Sequence, residues 1–423
     1  MHLRTTLLIA SWAACALSFP AQQFEHLAKR DGILEGLLDA SSDLVQSIAT
    51  DLREALTALD HLDSSGPVDV TGLNALANHG YINRDGIASL IDVVPAIVQV
   101  YGMGVELALV LAVMGVVWTG DPISLDPSFS IGSNDTAVEN ALDNLQGMLG
   151  TPQGIDYSHN FIEADSSPTR NDLYVTGNAW SMNISRFQEL YDTVPESETF
   201  TFDSMSSWAA KRWHDSVETN PYFYYGPFTG MIARNAGYLF YHRLFANHSS
   251  SEGVLTHDIL KNFFGVYGES GNLTYKEGHE QIPSNWYHIP SAYGIVELNV
   301  DTVAMVLQHP ELGSIGGNIG TVNSYTGVDL DDVLGGTLDA SQLLESNNLV
   351  CFALEVVKFA TPNYLSNVYS TLSAPLDLVT GVLETPLTSL ACPVWKDLTN
   401  GGESLLTVLE TKYPGANKSS RAL

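Results

Sequence analysis

The sequence predicts a mainly α-helical fold, and two stretches support that prediction. From Asp31 to Leu62, apolar residues recur mostly at three- and four-residue spacing, the period of an amphipathic helix. From Gly104 to Trp118 the chain is almost wholly apolar, with Glu106 as its only charge. This run is shorter than the roughly 20 residues of a bilayer span, so it predicts a buried core helix, with a membrane-inserted helix as the alternative. These long helical runs give no indication of a β-rich architecture.

Length and composition describe a globular protein. The chain has 423 residues, of which 45% are hydrophobic and 16% are charged, so it can bury a large core in one large domain or in two or three ordinary ones. It carries 48 acidic residues against 18 basic ones, which gives a formal net charge of -30. Because such a surface repels a phosphate backbone, we expect no nucleic-acid partner.

The N-terminus has the layout of a secretory signal peptide. An apolar run from Leu7 to Leu17 follows an early basic residue, which predicts a signal peptide over residues 1–18. The dibasic pair Lys29-Arg30 predicts the end of a pro-peptide over residues 19–30, the alternative being a chance basic pair in a helix. Sequons of the Asn-x-Ser/Thr type fit a secreted or endomembrane-lumenal glycoprotein, and the candidate glycosylation sites are Asn134, Asn183, Asn247, Asn272 and Asn417.

The cysteine residues fit the same compartment. Of three cysteines, Cys15 leaves with the signal peptide. Cys351 and Cys392 remain as an even pair in an oxidising compartment, which predicts a disulfide between them. On the loop-entropy account, a closed loop of about 40 residues would stabilise the C-terminal part by about 3–4 kcal/mol.

The stretch from Gly66 to Gly86 contains the most specific motif, GPVDVTGLNALANHGYINRDG. It resembles the segment that carries the axial cysteine in the fungal haem-thiolate peroxidases, the chloroperoxidases and unspecific peroxygenases. Further phrases extend the resemblance to Pro393, among them Gly120-Asp121-Pro122 and Gly316-Gly317-Asn318. The resemblance implies a single helical domain of this family over residues 66–400. A helical extension at 31–65 would precede it, and a tail at 401–423 would follow it.

The position of the family's axial ligand differs in this chain. In the family, a cysteine between two prolines donates its thiolate to the haem iron, which favours cleavage of the oxygen–oxygen bond. Here Val70 stands at that position, flanked by Asp69 and Thr71, and a valine side chain has no lone pair to donate. The resemblance implies haem as the cofactor, while Val70 indicates altered or lost haem-thiolate redox chemistry.

An acidic segment from His159 to Arg170 resembles the family's cation site. In peroxygenases, a Glu-x-Asp triplet followed by a serine holds a magnesium ion against a haem propionate, and the matching residues here are Glu163, Asp165 and Ser167. Carboxylate and hydroxyl oxygens are the ligands that Mg²⁺ prefers. The resemblance therefore implies Mg²⁺ at these residues, although their chemistry alone equally describes a solvated acidic loop.

The stretch after Asn220-Pro221 resembles the distal side of the family's haem pocket, where an arginine and a glutamate cleave hydrogen peroxide by acid–base catalysis. The arginine position falls near Phe228 and the glutamate position near Asn235, yet no Asp or Glu occurs from Tyr222 to Ser251. Arg234 is a possible electrostatic substitute but a poor proton shuttle. The aromatic residues predict either a hydrophobic pocket or core packing, and the pocket candidates are Phe223, Tyr224, Phe228 and Asn235.

Three functions follow as hypotheses, each with a hydrophobic small molecule of fungal secondary metabolism as substrate or ligand. The first is a peroxidase-family oxidoreductase that binds haem through a ligand other than cysteine. The second is a haem-free cyclase or isomerase that works by holding reactive groups in place. The third is a secreted, non-catalytic binding protein for an apolar metabolite.

Overall fold

The computed structural model describes residues 37, 43–59, 72–120, 122, 126–131, 155, 159, 163–250, 252–329, 340–365, 373–393 and 398–418. The described part is mainly α-helical with a few small strands, which confirms the predicted fold class. The predicted signal peptide and pro-peptide, together with Val70 and Asn134, lie outside the described residues.

The helices of the described part are, in chain order, α1 (Asp43–Leu59), α2 (Gly72–His79), α3 (Leu90–Tyr101), α4 (Val105–Thr119), α5 (Leu173–Thr176), α6 (Ile184–Tyr191), α7 (Phe202–Thr219), α8 (Asn235–Arg243), α9 (His257–Phe263), α10 (Ile295–Gln308), α11 (Ala340–Leu343), α12 (Asn348–Leu365), α13 (Ser373–Ser389), α14 (Leu405–Lys412) and α15 (Pro414–Lys418). A π-helix spans Thr229–Arg234 and a 3-10 helix spans Pro310–Gly313.

The strands are short and pair only antiparallel among the described residues. They are β1 (Ile87–Ser89), β2 (Ser128–Ser130), β3 (Tyr224–Tyr225), β4 (Val266–Tyr267), β5 (Thr274–Tyr275), β6 (Gly316–Gly317), β7 (Thr326–Gly327), β8 (Thr399–Asn400) and β9 (Glu403–Ser404). Strand β1 pairs with β2, β4 with β5, and β8 with β9, while β6 lies between β3 and β7.

Helix α4 lies at the centre of the core. Apolar side chains cover its whole circumference, a pattern that favours burial on every side. Accordingly, the residues from Ala112 to Thr119 are all buried, and α4 packs between α3 and α13. The prediction of a buried core helix is confirmed. None of the described helices is long and apolar enough to cross a membrane.

Helix α1 packs against the same core. Its buried residues Val45, Ile48, Leu52 and Leu56 follow the spacing of one helical face, and that face meets α3 and α13. The helical stretch predicted from residue 31 to 62 is confirmed over Asp43–Leu59. Apart from residue 37, the rest of that stretch lies outside the described residues.

The predicted disulfide is confirmed. Cys351 lies in the first turns of α12, and Cys392 lies just beyond the end of α13, with their Cα atoms 5.4 Å apart. The bond joins α12 to the end of α13, and α13 packs on both α12 and α4.

Close approach of backbones explains the Gly316-Gly317 phrase. In the antiparallel pair of β3 and β6, Gly317 lies opposite Tyr224, and Gly316 lies opposite Tyr225. A Cβ atom at Gly316 would lie 2.2 Å from the carbonyl oxygen of Thr326, and one at Gly317 would lie 2.5 Å from that of Phe223. Only glycine lets these three strands approach, and the approach fixes the aromatic segment that leads into the π-helix.

Candidate active site

The acidic segment is buried and brings two of the predicted cation ligands to one histidine. The side chains of Glu163 and Asp165 are almost wholly buried, as is His159. Nδ1 of His159 lies 2.5 Å from Oε2 of Glu163, and Nε2 lies 3.8 Å from Oδ1 of Asp165. The segment is therefore not a solvated acidic loop, and the imidazole provides the two carboxylates with a positive partner.

The charges in this cluster depend on one another. Burial lowers the pKa of His159, but the nearby Glu163 and Asp165 more than reverse this and raise the pKa to about 9. Burial raises the pKa of Asp165 well above its usual range, and Asp172 raises it further. The imidazole is thus held as an imidazolium in an acidic, desolvated environment.

The third predicted ligand, Ser167, has a local role. Its Oγ accepts a hydrogen bond of 3.0 Å from the backbone N–H of Arg170 and so closes a turn. Oε1 of Glu163 and Oδ1 of Asp165 are buried without a hydrogen-bond partner among the described residues. Even so, no group of three or more His, Cys, Asp or Glu side chains in the described part is arranged to hold a metal ion. The geometry gives the Mg²⁺ expected at Glu163, Asp165 and Ser167 no support.

Between the two carboxylates and Ser167, the backbone adopts an unusual conformation. Ser166 has a φ of 59°, in the left-handed region that residues other than glycine rarely occupy. Three neighbours hold it there. Its N–H donates to Oδ1 of Asp172 at 2.8 Å, and its carbonyl oxygen accepts from the Tyr238 hydroxyl at 2.6 Å and from Nε of Arg234 at 3.1 Å. This anchoring fixes the direction in which the acidic side chains point.

Arg234 is built into the scaffold. Besides Ser166, its guanidinium donates to the carbonyl oxygen of Ala209, to the Tyr238 hydroxyl and to Oδ1 of Asn235, and it lies over the ring of Tyr238. The side chain is buried at the end of the π-helix. These contacts join the acidic segment, α7 and α8, so Arg234 acts as a structural cation and not as a mobile electrostatic substitute.

Asn235, near the position of the family's distal acid, uses both of its side-chain polar atoms for packing. Oδ1 accepts from the Tyr225 hydroxyl at 2.9 Å as well as from Arg234. Nδ2 donates to the carbonyl oxygens of Met231 at 2.9 Å and Leu312 at 3.1 Å. The side chain is completely buried. The amide therefore links the π-helix, β3 and the 3-10 helix, and a neutral amide cannot act as the acid or base of a proton transfer.

The three aromatic pocket candidates are buried, and their ring contacts within the described part are those of core packing. The ring of Phe223 lies 5.8 Å from that of Trp213, and the ring of Phe228 lies 6.5 Å from that of Trp118. Tyr224 lies 6.2 Å from Tyr413, measured between ring centroids. These contacts are those of core packing, and the predicted hydrophobic pocket stays a prediction.

The family phrases converge on a buried polar node that sequence reasoning missed. Asn220, of the Asn-Pro turn, donates from Nδ2 to Oδ2 of Asp172. Asn318, of the Gly-Gly-Asn phrase, donates to the carbonyl oxygens of Asn220 and Val217. Nε of Arg212 donates to the carbonyl oxygen of Ser167. The sequence signal for this node was the presence of polar residues in three separated family phrases. Neither the spacing nor the type of these residues predicts that they come into contact in the fold.

The predicted glycosylation sites differ in exposure. Asn272 is exposed in the hairpin between β4 and β5. Asn183 and Asn247 are partly buried, and Oδ1 of Asn183 caps α6 by accepting from the N–H groups of Ser185 and Arg186. Asn417 lies in α15. Glycosylation stays a prediction at all of these positions and at Asn134.

Comparison with known proteins identifies the family. Residues 71–291 match the family described as "Peroxidase, family 2". The chain is 51% identical over 356 residues to the aromatic peroxidase fscJ of Fusarium equiseti, covering 84% of this chain and 81% of that protein. It is 34% identical over 404 residues to the dothistromin biosynthesis peroxidase dotB of Dothistroma septosporum, covering 93% and 94%. An aromatic peroxygenase of Cyclocybe aegerita is 25% identical over 301 residues, covering 71% and 72%.

The chain therefore belongs to peroxidase family 2, the fungal haem-thiolate peroxidase family. This confirms the resemblance recognised in the sequence. The matched region begins at residue 71, directly after Val70, and includes the acidic segment, the π-helix and Asn235.

Proposed function

We propose that this chain is a secreted peroxidase-family protein that acts on a hydrophobic aromatic small molecule in fungal secondary metabolism, with haem-thiolate redox chemistry altered or lost. Its relatives support the substrate class, since one is named an aromatic peroxidase and another a dothistromin biosynthesis peroxidase. Secretion rests on the signal-peptide pattern and the sequons.

The observation behind the altered chemistry is the environment of Asn235. Heterolysis of a peroxide by the family's route needs a group that takes up a proton and returns it. Asn235 stands near that position with its side-chain oxygen and nitrogen both engaged in buried hydrogen bonds. Arg234 beside it is equally engaged, and no carboxylate occurs from Tyr222 to Ser251. Neither Asn235 nor Arg234 is suited to take up and return a proton.

The side chains available as ligands of a haem iron agree with this proposal. Val70 has no lone pair for a metal. Beyond Cys15, which falls in the predicted signal peptide, both cysteines are used in the disulfide between Cys351 and Cys392. The residues present do not fit a thiolate-ligated haem with a distal acid, so the proposed chemistry contains no step through one.

Loss of the thiolate and the distal acid together favours a second candidate, a haem-free cyclase or isomerase. Holding reactive groups in near-attack geometry can lower a barrier by several kcal/mol without a cofactor. A rigid, buried polar scaffold of the kind formed by Arg234, Tyr238 and Asp172 around Ser166 supports such positioning.

Product analysis separates these functions. The secreted full-length protein is incubated with polycyclic phenols, with and without hydrogen peroxide, and the products are identified by mass spectrometry. We expect conversion without added peroxide to an isomer of unchanged mass. Products that gain an oxygen atom only when peroxide is present would contradict the altered chemistry. Saturable binding without any conversion would instead establish a binding protein.

A further inference from the structure

A concave site lies away from the acidic segment and from the stretch around Asn235. A cleft of about 410 Å³ lies between the turn after α2 and the residues that follow β5, and we name it the α2–hairpin cleft. Its volume is in the range of roughly 300–1,000 Å³ that is typical of small-molecule sites. The charged and aromatic residues of its lining are Arg84, Asp85, Trp180, Tyr275, Glu277 and Glu280. None of them belongs to the acidic segment or to the stretch around Asn235.

The two sides of the cleft are fixed to each other. Nδ2 of Asn78 in α2 donates to the carbonyl oxygen of Gly278 at 3.1 Å and to that of Glu280 at 3.0 Å. Asn74, one turn earlier, donates to the carboxylate of Glu280. These bonds cross about 200 residues of sequence and hold the cleft open before any ligand arrives. A preformed site loses little conformational entropy on binding.

Aromatic rings line the cleft at defined positions. Trp180 follows a turn in which Oδ1 of Asn178 accepts from the N–H groups of Trp180 at 3.1 Å and Ser181 at 2.9 Å. Tyr275 is fixed by the pairing of β5 with β4, where it lies opposite Val266. Both side chains are partly exposed. They give the cleft an aromatic lining against which a flat ligand can pack.

The charged residues of the lining are mostly acidic. Asp85, Glu277 and Glu280 supply three carboxylates against the single guanidinium of Arg84. That guanidinium donates from Nε to the carbonyl oxygen of Ala77 at 3.2 Å, and from Nη2 to that of Asn78 at 3.1 Å. Its charge is thus directed at the end of α2. Carboxylates beside aromatic faces recognise organic cations, through ion pairing and through the ring quadrupole.

We propose that the α2–hairpin cleft binds a protonated aromatic amine. The ring of the ligand lies against Trp180 and Tyr275, and its ammonium group lies at the rim with Asp85 and Glu277. None of the lining residues of the cleft belongs to the acidic segment or to the stretch around Asn235, so we expect binding to be independent of haem and of the chemistry proposed there.

The test compares two probes with the same ring and opposite charge. Tryptamine and indole-3-propionate are titrated separately into the full-length protein by isothermal calorimetry. We expect tryptamine to bind saturably and the anion to bind at least about tenfold more weakly. Equal affinity of the two probes, or no saturable tryptamine binding up to about 10 mM, would overturn the proposal.

Substitutions of lining residues test whether tryptamine binds in the α2–hairpin cleft. We expect Glu277→Gln to weaken tryptamine binding by about threefold, because it removes one rim charge. Tyr275→Leu removes a ring face, and we expect a loss of about tenfold. The matched control is Glu269→Gln, at an exposed residue of the same hairpin outside the cleft lining. Equal weakening by Glu269→Gln and Glu277→Gln would mean non-specific attraction to an acidic surface. Thermal melting confirms that each variant is folded.

Discussion

Arg234 donates from Nε to both the carbonyl oxygen and the hydroxyl oxygen of Ser166, a serine held in the left-handed backbone region. This contact spans 68 residues of sequence and joins the end of the π-helix to the buried acidic segment. The arrangement of Glu163 and Asp165 around His159 therefore depends on a cation that lies outside the segment.

Replacing this cation tests the dependence. We expect Arg234→Met to lower the free energy of unfolding by about 3–5 kcal/mol, because the carbonyl oxygens of Ser166 and Ala209 lose buried charged donors. Chemical denaturation followed by circular dichroism measures the loss. The control Arg186→Met removes a partly exposed arginine that pairs with Glu189 and Asp215, and it should cost at most about 1 kcal/mol. Similar losses for the two variants would refute the structural role of Arg234.

The amide of Asn235 can be tested by an isosteric change. In Asn235→Asp, the carbonyl oxygens of Met231 and Leu312 lose their donor and face an oxygen atom, so we expect a loss of about 2–4 kcal/mol in the free energy of unfolding. Neither oxygen of the carboxylate can replace the N–H donors that the amide gives to these two carbonyl groups. Chemical denaturation at pH 7 measures the loss. A variant as stable as wild type at pH 7 would show that the four hydrogen bonds do not hold the amide.

The partly buried histidine of α8, His242, predicts a loss of stability in acid. Burial, and then the nearby Arg243, lowers the pKa of His242 to about 4. The unfolded chain, with a histidine pKa of about 6.5, binds this proton earlier as the pH falls, so stability is lost between about pH 6.5 and pH 4. His242→Asn should remove about 2 kcal/mol of that pH dependence. The exposed His279 supplies the control His279→Asn, which should leave the slope unchanged. An unaltered slope in His242→Asn would contradict the prediction.

Removal of the disulfide should loosen helices α12 and α13. We expect the pair Cys351→Ala and Cys392→Ala to lower the free energy of unfolding by about 3–4 kcal/mol, since the unfolded chain regains the freedom of the closed loop. Hydrogen exchange should rise first in α12 and α13. Unchanged exchange in these helices, with unchanged stability, would show that core packing alone holds them on α4.

Local sequence patterns were sufficient for several features. The apolar composition of α4 was enough to predict a buried helix, and the even number of remaining cysteines was enough to predict a disulfide. Both predictions are confirmed. The family was also recognisable, because its phrases are short, ordered and specific.

The roles of the site residues could not be predicted in the same way. The side-chain amide of Asn235 donates to the carbonyl oxygen of Leu312, 77 residues away. The backbone of Ser166 is held by hydrogen bonds from Arg234 and Tyr238. Partners at such distances follow from packing of the whole chain and leave no periodic signal. From the sequence, Arg234 is a possible electrostatic substitute for the distal acid. In the structure, its N–H groups donate hydrogen bonds within the core.

The proposed alteration or loss of thiolate-ligated haem chemistry can be tested on the protein itself. Its most direct test is the absorption spectrum of purified protein produced with added haem, recorded after reduction with and without carbon monoxide. We predict that the wild-type protein lacks the red-shifted carbonyl band of thiolate ligation, and that Val70→Thr lacks it as well. If the haem pocket is open, Val70→Cys should gain the band. A wild-type spectrum that already shows this band would contradict the claim.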